Sequence, residues 1–580
     1  MRPKRRRGMT MPDNSPPTMA YILEREETVG ATGYFATVPE FPAPFSVWID
    51  YLRSHPLDQF LRKHLVRVLQ VLPADRVAAW IEETGSDDPV FRSLLCESAA
   101  IGGRFAHLLD RFSDAERREL SRHTPLIPLR SIIDPAGSAH GRWVEVFRKN
   151  IESHQPLPAP DEVDAPPDLF PEEALSPYRR PPPPVDRLRE SVPEAHPGPA
   201  DPPPSLAEIA ESAVDRLTAV GALAGPEMRH TAALCPWGLL REWRVSISVD
   251  LGRHRYTLSG PQTAYGRGLS LDAARTACAM EIVERFSAFA SIGPGGLEGF
   301  LKEHPLRYGT VDGLRREGLT AIDPDELGSE VSCRHEPLYW VAGETPEGGA
   351  AWVPVQSVIV FPNLDEVSLL SAAHSTGLAS GTSPDGAKRS ALLETIERDA
   401  EATVPFDPAD CFALTADGGE GADLLGDLHY RGIDVRFRDL SRTFGIPCYQ
   451  AFVISPDGEI IRGTGADLDG RRAVLSALTE TPYPYPSGPP SRPAPGGLPV
   501  RSPSDLPDLS TGTPAGDVAL IEAILADGGR TPVYVDLTRS DLEFPVVRAV
   551  VPGLAPMADF GRFSRIPPGL FARYLDAVGR

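Results

Sequence analysis

The chain has 580 residues and a mass of 62.7 kDa, so two or more domains are expected. Its formal net charge of −22 and pI of about 5.1 argue against nucleic acid as a general partner. No run of about 18 apolar residues occurs, and the basic start MRPKRRRG lacks the apolar segment of a secretory signal, so the sequence predicts neither a membrane span nor secretion.

The six cysteines are scattered along the chain and form no C-x-x-C pair. This pattern disfavours both a structural zinc site and a disulfide framework. A reducing, cytoplasmic setting is therefore expected.

The first third of the chain divides into three segments. Residues 1–18 predict a disordered basic tail. Residues 19–154 predict a mostly helical domain, because stretches such as HPLDQFLRKHLVRVLQVL place apolar residues at helical spacing. No catalytic constellation occurs there, and a docking role for a peptide or a partner protein is inferred from position alone. Residues 155–204 predict a Pro-rich, largely extended linker.

Residues 205–580 predict the main domain, in which strands and helices are mixed. WRVSISVDLG and HRYTLSGP alternate as strands do, and LYWVAGETPEGGAAWVPVQSVIV predicts a hairpin around a Gly-rich turn. FPVVRAVVPGL predicts the last strand, and a Pro-rich insertion falls near 482–515. The expected fold class is α+β (mixed α/β), with sheets flanked by helices.

Two similar stretches stand out in this domain: DAARTACAMEIVER at 272–285 and DGAKRSALLETIER at 385–398, at a constant offset of 113 residues. On a helix, residues three and four apart share a face. Each copy therefore predicts a cluster of two carboxylates and one arginine, with an apolar face opposite. A single E-x-x-E-R is typical of a solvated helix face, but its repetition favours a site. The clustered residues are Glu281, Glu284 and Arg285 in the first copy and Glu394, Glu397 and Arg398 in the second.

Glycine-containing turns are predicted before both helices, at Gly266-Arg267-Gly268 and at Gly381-Thr382. Such a turn would present backbone N–H groups to a phosphate at the helix N-terminus. Ser383 followed by Pro384 predicts the N-cap and the first position of the second helix. The carboxylates, expected near the start of each helix, would hold Mg²⁺ together with nucleotide phosphates. Residues 462–482 predict a third glycine turn and a third short helix, which carries Glu480.

Taken in order, these motifs resemble the YcaO family over about 205–580. The matching pieces are TAYGRGLSLDAARTACAMEIVERFSAF, LYWVAG with AWVPVQSV, STGLASGTSPDGAKRSALLETIERDA, FGIPCYQAFV, GTGADLDGRRAVLSALTE and VYVDLTRSDLEFPVVRAVVPGL. The resemblance implies ATP- and Mg²⁺-dependent activation of a backbone amide in a ribosomally made precursor peptide. An internal side chain as nucleophile would give an azoline, sulfide a thioamide, and an amine an amidine.

The resemblance also assigns roles to individual residues, while the catalytic residues stay unassigned. The implied magnesium ligands are Glu281, Glu284, Glu394, Glu397 and Glu480. The implied nucleotide contacts are Arg267, Arg285, Ser375, Thr382 and Arg398.

The chain departs from the usual family pattern at several positions. Arg267 stands where Lys is common, Ala277 where Ser is common and Ser476 where Arg is common. Thr481-Pro482 ends the third helix where a Gln usually follows, and the chain ends LFARYLDAVGR without a Pro-rich tail. These departures favour a thioamide-forming or other divergent member over an azoline-forming one, while the four central carboxylates keep an active enzyme as the first hypothesis.

Two alternatives stay open: a YcaO-fold scaffold subunit that has lost catalysis, and a different ATP-using enzyme such as a ligase. The expected partners are a precursor peptide and a peptide-recognition or sulfur-delivery protein. A homodimer is an open alternative for the assembly.

Overall fold

The computed structural model describes residues 19–26, 34–166, 168–192, 204–416, 418–558 and 560–579. The predicted disordered tail at 1–18 lies outside the described residues, as does the stretch 193–203 of the predicted linker.

The helices and strands of the described residues are numbered here in chain order. The helices are α1 Phe45–Ser54, α2 Gln59–Val71, α3 Ala74–Glu83, α4 Pro89–Ala100, α5 Asp114–Leu120, α6 Ile127–Ile133, α7 Pro135–Ser153, α8 Glu172–Leu175, α9 Val185–Ser191, α10 Leu206–Ala219, α11 Leu271–Ala288, α12 Val311–Arg316, α13 Pro384–Thr403, α14 Ala422–Tyr430, α15 Gly470–Glu480, α16 Pro514–Asp527 and α17 Pro568–Ala577. The strands are β1 Met19–Glu26, β2 Tyr34–Pro39, β3 Met228–Arg229, β4 Trp237–Leu251, β5 His254–Gly268, β6 Ser291–Gly293, β7 Gly296–Glu298, β8 Arg307–Gly309, β9 Leu338–Glu344, β10 Ala350–Pro354, β11 Leu378–Ser380, β12 Cys411–Leu414, β13 Arg436–Asp439, β14 Cys448–Ile454, β15 Ile460–Ala466, β16 Val500–Arg501, β17 Val533–Asp536 and β18 Val546–Val550.

The strands form three sheets. The first has the order β2-β1-β5-β4-β6-β7, with β3 beside β4. The second has the order β10-β9-β17-β18-β11, with β8 beside β9, and the third has the order β15-β14-β13-β12-β16. Helices pack against these sheets, so the predicted mixed α/β class is confirmed. The predicted hairpin is β9–β10, and the last predicted strand is β18.

The N-terminal region is not purely helical, because it begins with the β1–β2 hairpin. β1 pairs in parallel with β5 of the main sheet. Tyr21 of β1 packs edge-on against Tyr256 of β5 and Phe60 of α2, with ring centroids 5.7 and 5.4 Å apart. The N-terminal helices and the first sheet therefore share one hydrophobic core.

Part of the predicted linker is folded against the end of the chain. α8 and α9 lie within it, and Tyr178 donates a hydrogen bond from its hydroxyl to the carbonyl of Gly553 at 2.8 Å. Trp143 of α7 is fully buried and packs on Phe571 and Tyr574 of α17. Residues 143–178 and the C-terminal segment thus meet in one cluster.

Three strand–helix units have the same construction: β5–α11, β11–α13 and β15–α15. Each helix begins after a side-chain cap, supplied by Ser270, Ser383 and Asp469. The prediction of Ser383 as a cap before Pro384 is confirmed, since its hydroxyl accepts a hydrogen bond from the Gly386 N–H at 3.1 Å.

The predicted glycine turns are wrong for the first and third units. Gly266 lies within β5 and Gly465 within β15. A Cβ at Gly266 would lie 2.1 Å from the carbonyl oxygen of Ala274, and one at Gly465 would lie 2.5 Å from that of Ala473. Glycine is needed there because the helix backbone packs directly on the strand.

No helix in the described part of the chain combines the length and the apolar composition that a bilayer span requires.

Candidate functional site

The three strand–helix units bring their carboxylates to one place. Glu281 and Glu284 come from α11, Glu394 and Glu397 from α13, and Glu480 from the last turn of α15. Glu394 raises the pKa of Glu284, and Glu480 raises the pKa of Glu397, so the groups from different helices lie within electrostatic reach. The convergence expected for the two repeated helices is present in the fold, and the third helix joins it.

A backbone N–H group from a neighbouring segment orients the first carboxylate of each repeat. The Tyr265 N–H donates to Oε2 of Glu281 at 3.0 Å, and the Gly377 N–H donates to Oε2 of Glu394 at 3.2 Å. Glu397 is held in a similar way, since its Oε2 accepts from the N–H of Ala466 in β15 at 3.2 Å. In each case the backbone bond engages Oε2 and not Oε1.

Two arginines lie among these carboxylates. Arg285 has its Nε 3.5 Å from Oε1 of Glu284, and Arg398 has its Nη2 3.2 Å from Oε1 of Glu397. Arg398 also donates from Nη1 to Glu401 at 2.8 Å. Arg285 and Arg398 together balance only part of the negative charge, because the cluster contains the five predicted carboxylates and Glu401.

Burial dominates the electrostatics of the cluster. It raises the pKa of all five predicted carboxyl groups, and that of Glu284 to about 8, while Arg285 and Arg398 oppose this rise. Glu480 stands at the negative end of the α15 dipole, which adds to the cost of its charge. A divalent cation would offset these costs by stabilising the ionised carboxylates.

The donor set fits Mg²⁺ bound together with a nucleotide. Among the described residues, no three Asp, Glu, His or Cys side chains converge closely enough to ligate one ion by themselves. Magnesium is commonly held by one or two carboxylates and completed by phosphate oxygens and water, so a wide cluster of carboxylates suits it. Arg267 adds a cation near Glu480 and Glu281, and its buried Nε has no hydrogen-bond partner among the described residues.

A cavity of about 600 Å³ opens over this cluster. That volume falls within the range of small-molecule sites. Of the predicted site residues, Glu281, Arg285, Ser375, Glu394 and Arg398 line it.

The remaining predicted residues lie at different depths. Glu284, Glu397 and Glu480 do not line the cavity, but they interact electrostatically with residues that do. Thr382 is exposed in the turn before α13 and does not line the cavity.

The predicted phosphate-binding role of the helix N-termini does not match the geometry. Glu281 is the eleventh residue of α11, and Glu394 is the eleventh of α13. At 1.5 Å per residue, each carboxylate lies about 15 Å from the start of its helix. The carboxylates are therefore nearly three turns into the helix, not near its start.

Three residues of the site were missed at the sequence level. Glu401 lines the cavity and could have been found, because it lies four residues after Glu397 on the same helix face. Arg548 of β18 is fully buried and acts electrostatically on Glu394 and Glu284; an arginine inside the apolar run VVRAVV was the available signal. His374 lines the cavity beside Ser375, and no pattern in the sequence marked it.

Comparison with known families gives a match to the family model described as YcaO cyclodehydratase, ATP- and Mg²⁺-binding. The match covers 265–482 and 484–555, which is half of the chain. An uncharacterized protein of Methanothermobacter thermautotrophicus is 29% identical over 350 residues, which cover 54% of this chain and 86% of that protein.

Two solved structures are similar in fold. The structure of YcaO from Methanopyrus kandleri bound with AMPPCP and Mg²⁺ has a TM-score of 0.43 at 21% identity, covering 63% of this chain and 95% of that one. A heterocyclase in complex with substrate and cofactor has a TM-score of 0.47 at 18% identity, covering 65% of this chain and 57% of that one.

Proposed function

The chain belongs to the YcaO family, and on that premise we propose that it activates a backbone amide of a ribosomally made precursor peptide. ATP and Mg²⁺ are the cofactors of this family. The observation that carries the proposal is the cluster of Glu281, Glu284, Glu394, Glu397 and Glu480 beside a cavity of about 600 Å³.

In this proposal different residues of the cluster bind different parts of the Mg²⁺–ATP complex. The five carboxylates hold the metal ions, and Arg267, Arg285 and Arg398 neutralise phosphate charge; Ser375 contacts the nucleotide from the cavity wall. The buried setting strengthens these interactions because water screens them less. Bound ATP supplies a phosphoryl group that turns the amide oxygen into a good leaving group.

The product is an azoline or a thioamide. The choice depends on whether a side chain of the peptide or a sulfide attacks the activated carbonyl carbon. The N-terminal region, 19–154, is the proposed docking surface for the peptide or for a recognition or sulfur-delivery partner. Dependence on ATP and six buried, unpaired cysteines favour the cytoplasm as its location.

A scaffold role is the second candidate, and the third unit is the observation that favours it. α15 ends at Glu480, and Thr481 is followed at once by Pro482. Ala277 and Ser476 also replace the polar or charged residues common in the family. A scaffold of this kind would bind Mg²⁺–ATP without turnover when peptide and partner are supplied.

The first test is calorimetric titration with ATP in the presence and absence of Mg²⁺. Wild-type protein should show saturable, Mg²⁺-dependent binding. The double variant Glu394→Ala/Glu397→Ala should bind at least about 100-fold more weakly, equivalent to ~2.7 kcal/mol. The double variant Glu303→Ala/Glu347→Ala removes two exposed carboxylates and should bind as wild type does. A folded wild-type protein that binds no ATP would overturn the proposal.

The second test separates the enzyme from the scaffold. A candidate precursor peptide is incubated with the protein, ATP and a sulfide source. Its mass is then measured by mass spectrometry. Loss of water indicates an azoline, and exchange of oxygen for sulfur indicates a thioamide. An unchanged peptide in the presence of its partner proteins would favour the scaffold.

A further inference from the structure

His374 lies in the segment between β10 and β11, on the wall of the carboxylate cavity. Its neighbour Ser375 is already placed at the nucleotide in the proposed function. The inference about His374 rests on that proposed function and concerns the same cavity.

Arg548 determines which nitrogen of the His374 ring carries the proton. Nη2 of Arg548 lies 3.3 Å from Nδ1 of His374 and also donates to the His374 carbonyl oxygen at 3.1 Å. A guanidinium has only donors, so Nδ1 must accept the hydrogen bond. The ring is therefore the tautomer with its proton on Nε2.

The ring also stays neutral at physiological pH. Burial and the adjacent Arg548 charge lower the pKa of His374 to about 3. Arg548 remains protonated, because burial lowers its pKa only to about 10 and Glu394 and Glu284 oppose that decrease.

The Nε2–H group is a hydrogen-bond donor without an acceptor. No described residue accepts a hydrogen bond from this group, and Nε2 keeps some exposed surface. The side chain lines the cavity, so Nε2–H is available to a ligand there. The charged groups on the same wall are Glu281, Arg285, Glu394, Arg398, Glu401 and Arg462.

We propose that the Nε2–H of His374 donates a hydrogen bond to a phosphate oxygen of the nucleotide bound in this cavity. Two interactions stabilise an anionic oxygen at this position: the hydrogen bond from Nε2–H and the positive charge of Arg548 directly behind the ring. A neutral carbonyl oxygen would gain little from that charge. Arg548 acts as a positioning residue, because it keeps the proton on Nε2 and the ring in place.

Two substitutions separate this role from a purely structural one. In His374→Gln an amide N–H can reach the place of Nε2–H, while the acceptor for Arg548 is lost. In His374→Asn the side-chain oxygen takes the place of Nδ1 and keeps the Arg548 contact, while the donor to the cavity is lost. The probe is Mg²⁺ with a non-hydrolysable ATP analogue, titrated by calorimetry.

The proposal predicts that His374→Asn weakens binding of the analogue by about 10-fold or more and that His374→Gln stays within about 3-fold of wild type. Equal affinities, or a Gln variant that binds more weakly than the Asn variant, would overturn it while the proposed function stands. Absence of binding by the wild-type protein would overturn the proposed function, and this inference with it.

Melting temperatures show whether each variant is folded. Should either variant unfold, wild-type protein labelled with ¹⁵N-histidine provides the second measurement. A neutral ring protonated on Nε2, whose proton resonance moves when Mg²⁺ and the analogue are added, supports the proposal. A resonance that does not move refutes it.

Discussion

Backbone N–H groups hold several of the buried and half-buried carboxylates of this protein. Glu281, Glu394 and Glu397 each accept one such bond inside the site, and Glu366 accepts one from Tyr339 outside it. These bonds favour the ionised form of each carboxyl group, but burial opposes them and prevails. Charge at these positions therefore costs folding free energy unless a cation is bound.

Glu366 allows this cost to be measured away from the metal cluster. Its side chain is buried, Gln356 donates to its Oε1 at 2.6 Å, and burial raises its pKa to about 8. A pKa above that of the unfolded chain means that the folded state binds the proton more tightly. The stabilisation is then complete below the unfolded-state pKa and is lost as pH rises towards 8.

We expect Glu366→Gln to remove this dependence on pH. The free energy of unfolding of the wild type should fall relative to the variant by about 1.4 kcal/mol per pH unit across that window. Urea denaturation between pH 5 and about 8.5 provides the measurement, and the slope is the readout, because the new amide adds a cost that does not vary with pH. Replacing the exposed Glu303 by Gln should leave the slope unchanged. Parallel curves for wild type and Glu366→Gln would contradict the assignment.

At the scale of elements, the strand–helix unit explains why the carboxylates converge. In each unit a glycine in or beside the strand lets a helix backbone approach closely, and an N-cap sets where that helix starts. The distance from the cap to the glutamate is the same in α11 and α13, so both helices present their carboxylates at the same depth. Repetition of one local unit thus builds a shared site.

The close approach makes a definite prediction for Gly465→Ala. A Cβ there would lie 2.5 Å from both the Ala473 carbonyl oxygen and the Ala477 nitrogen, so α15 must move away from β15. We expect a loss of about 1–3 kcal/mol in the free energy of unfolding. Gly426→Ala in α14 is the matched control, since its Cβ meets nothing within 4 Å and alanine favours a helix by up to about 1 kcal/mol. Equal stabilities of the two variants would show that the strand–helix contact is not tight.

At the scale of the whole molecule, distant parts of the chain are packed together. β1 extends the sheet that contains β5, and Trp143 is buried against α17 near the C-terminal end. The shared core of the N-terminal region and the first sheet argues that they unfold together.

Two tryptophan variants test this cooperativity. Trp143 joins α7 to α17, whereas Trp80 packs locally, stacked on Phe45 at 5.3 Å. We expect Trp143→Ala to cost about 3–5 kcal/mol and Trp80→Ala to cost less, because Trp80 is only partly buried. Both should shift one transition, followed by circular dichroism and fluorescence. Two transitions, with Trp80→Ala affecting only one, would show that 19–154 is an independent domain.

The sequence alone predicted the features that depend on residues close together in the chain. The E-x-x-E-R repeats predicted two helices with clustered carboxylates, because residues three and four apart meet on a helix whatever surrounds it. The Ser383 cap and the β9–β10 hairpin follow from local patterns in the same way. The pattern at 462–482 predicted a third helix that carries Glu480, and the family resemblance then assigned Glu480 to the magnesium ligands.

Tertiary structure decided what depends on elements far apart in sequence. Gly266 and Gly465 were misread as turns because the need for glycine arises from a helix packed against the strand, which composition does not reveal. Arg548 determines the tautomer of His374 across 174 residues of sequence, a relation that no local periodicity encodes. The pairing of β1 with β5 is a further example, because no pattern in the residues of either segment indicates that the two are neighbours. Short-range spacing thus determined which carboxylates cluster, and long-range packing decided what surrounds them.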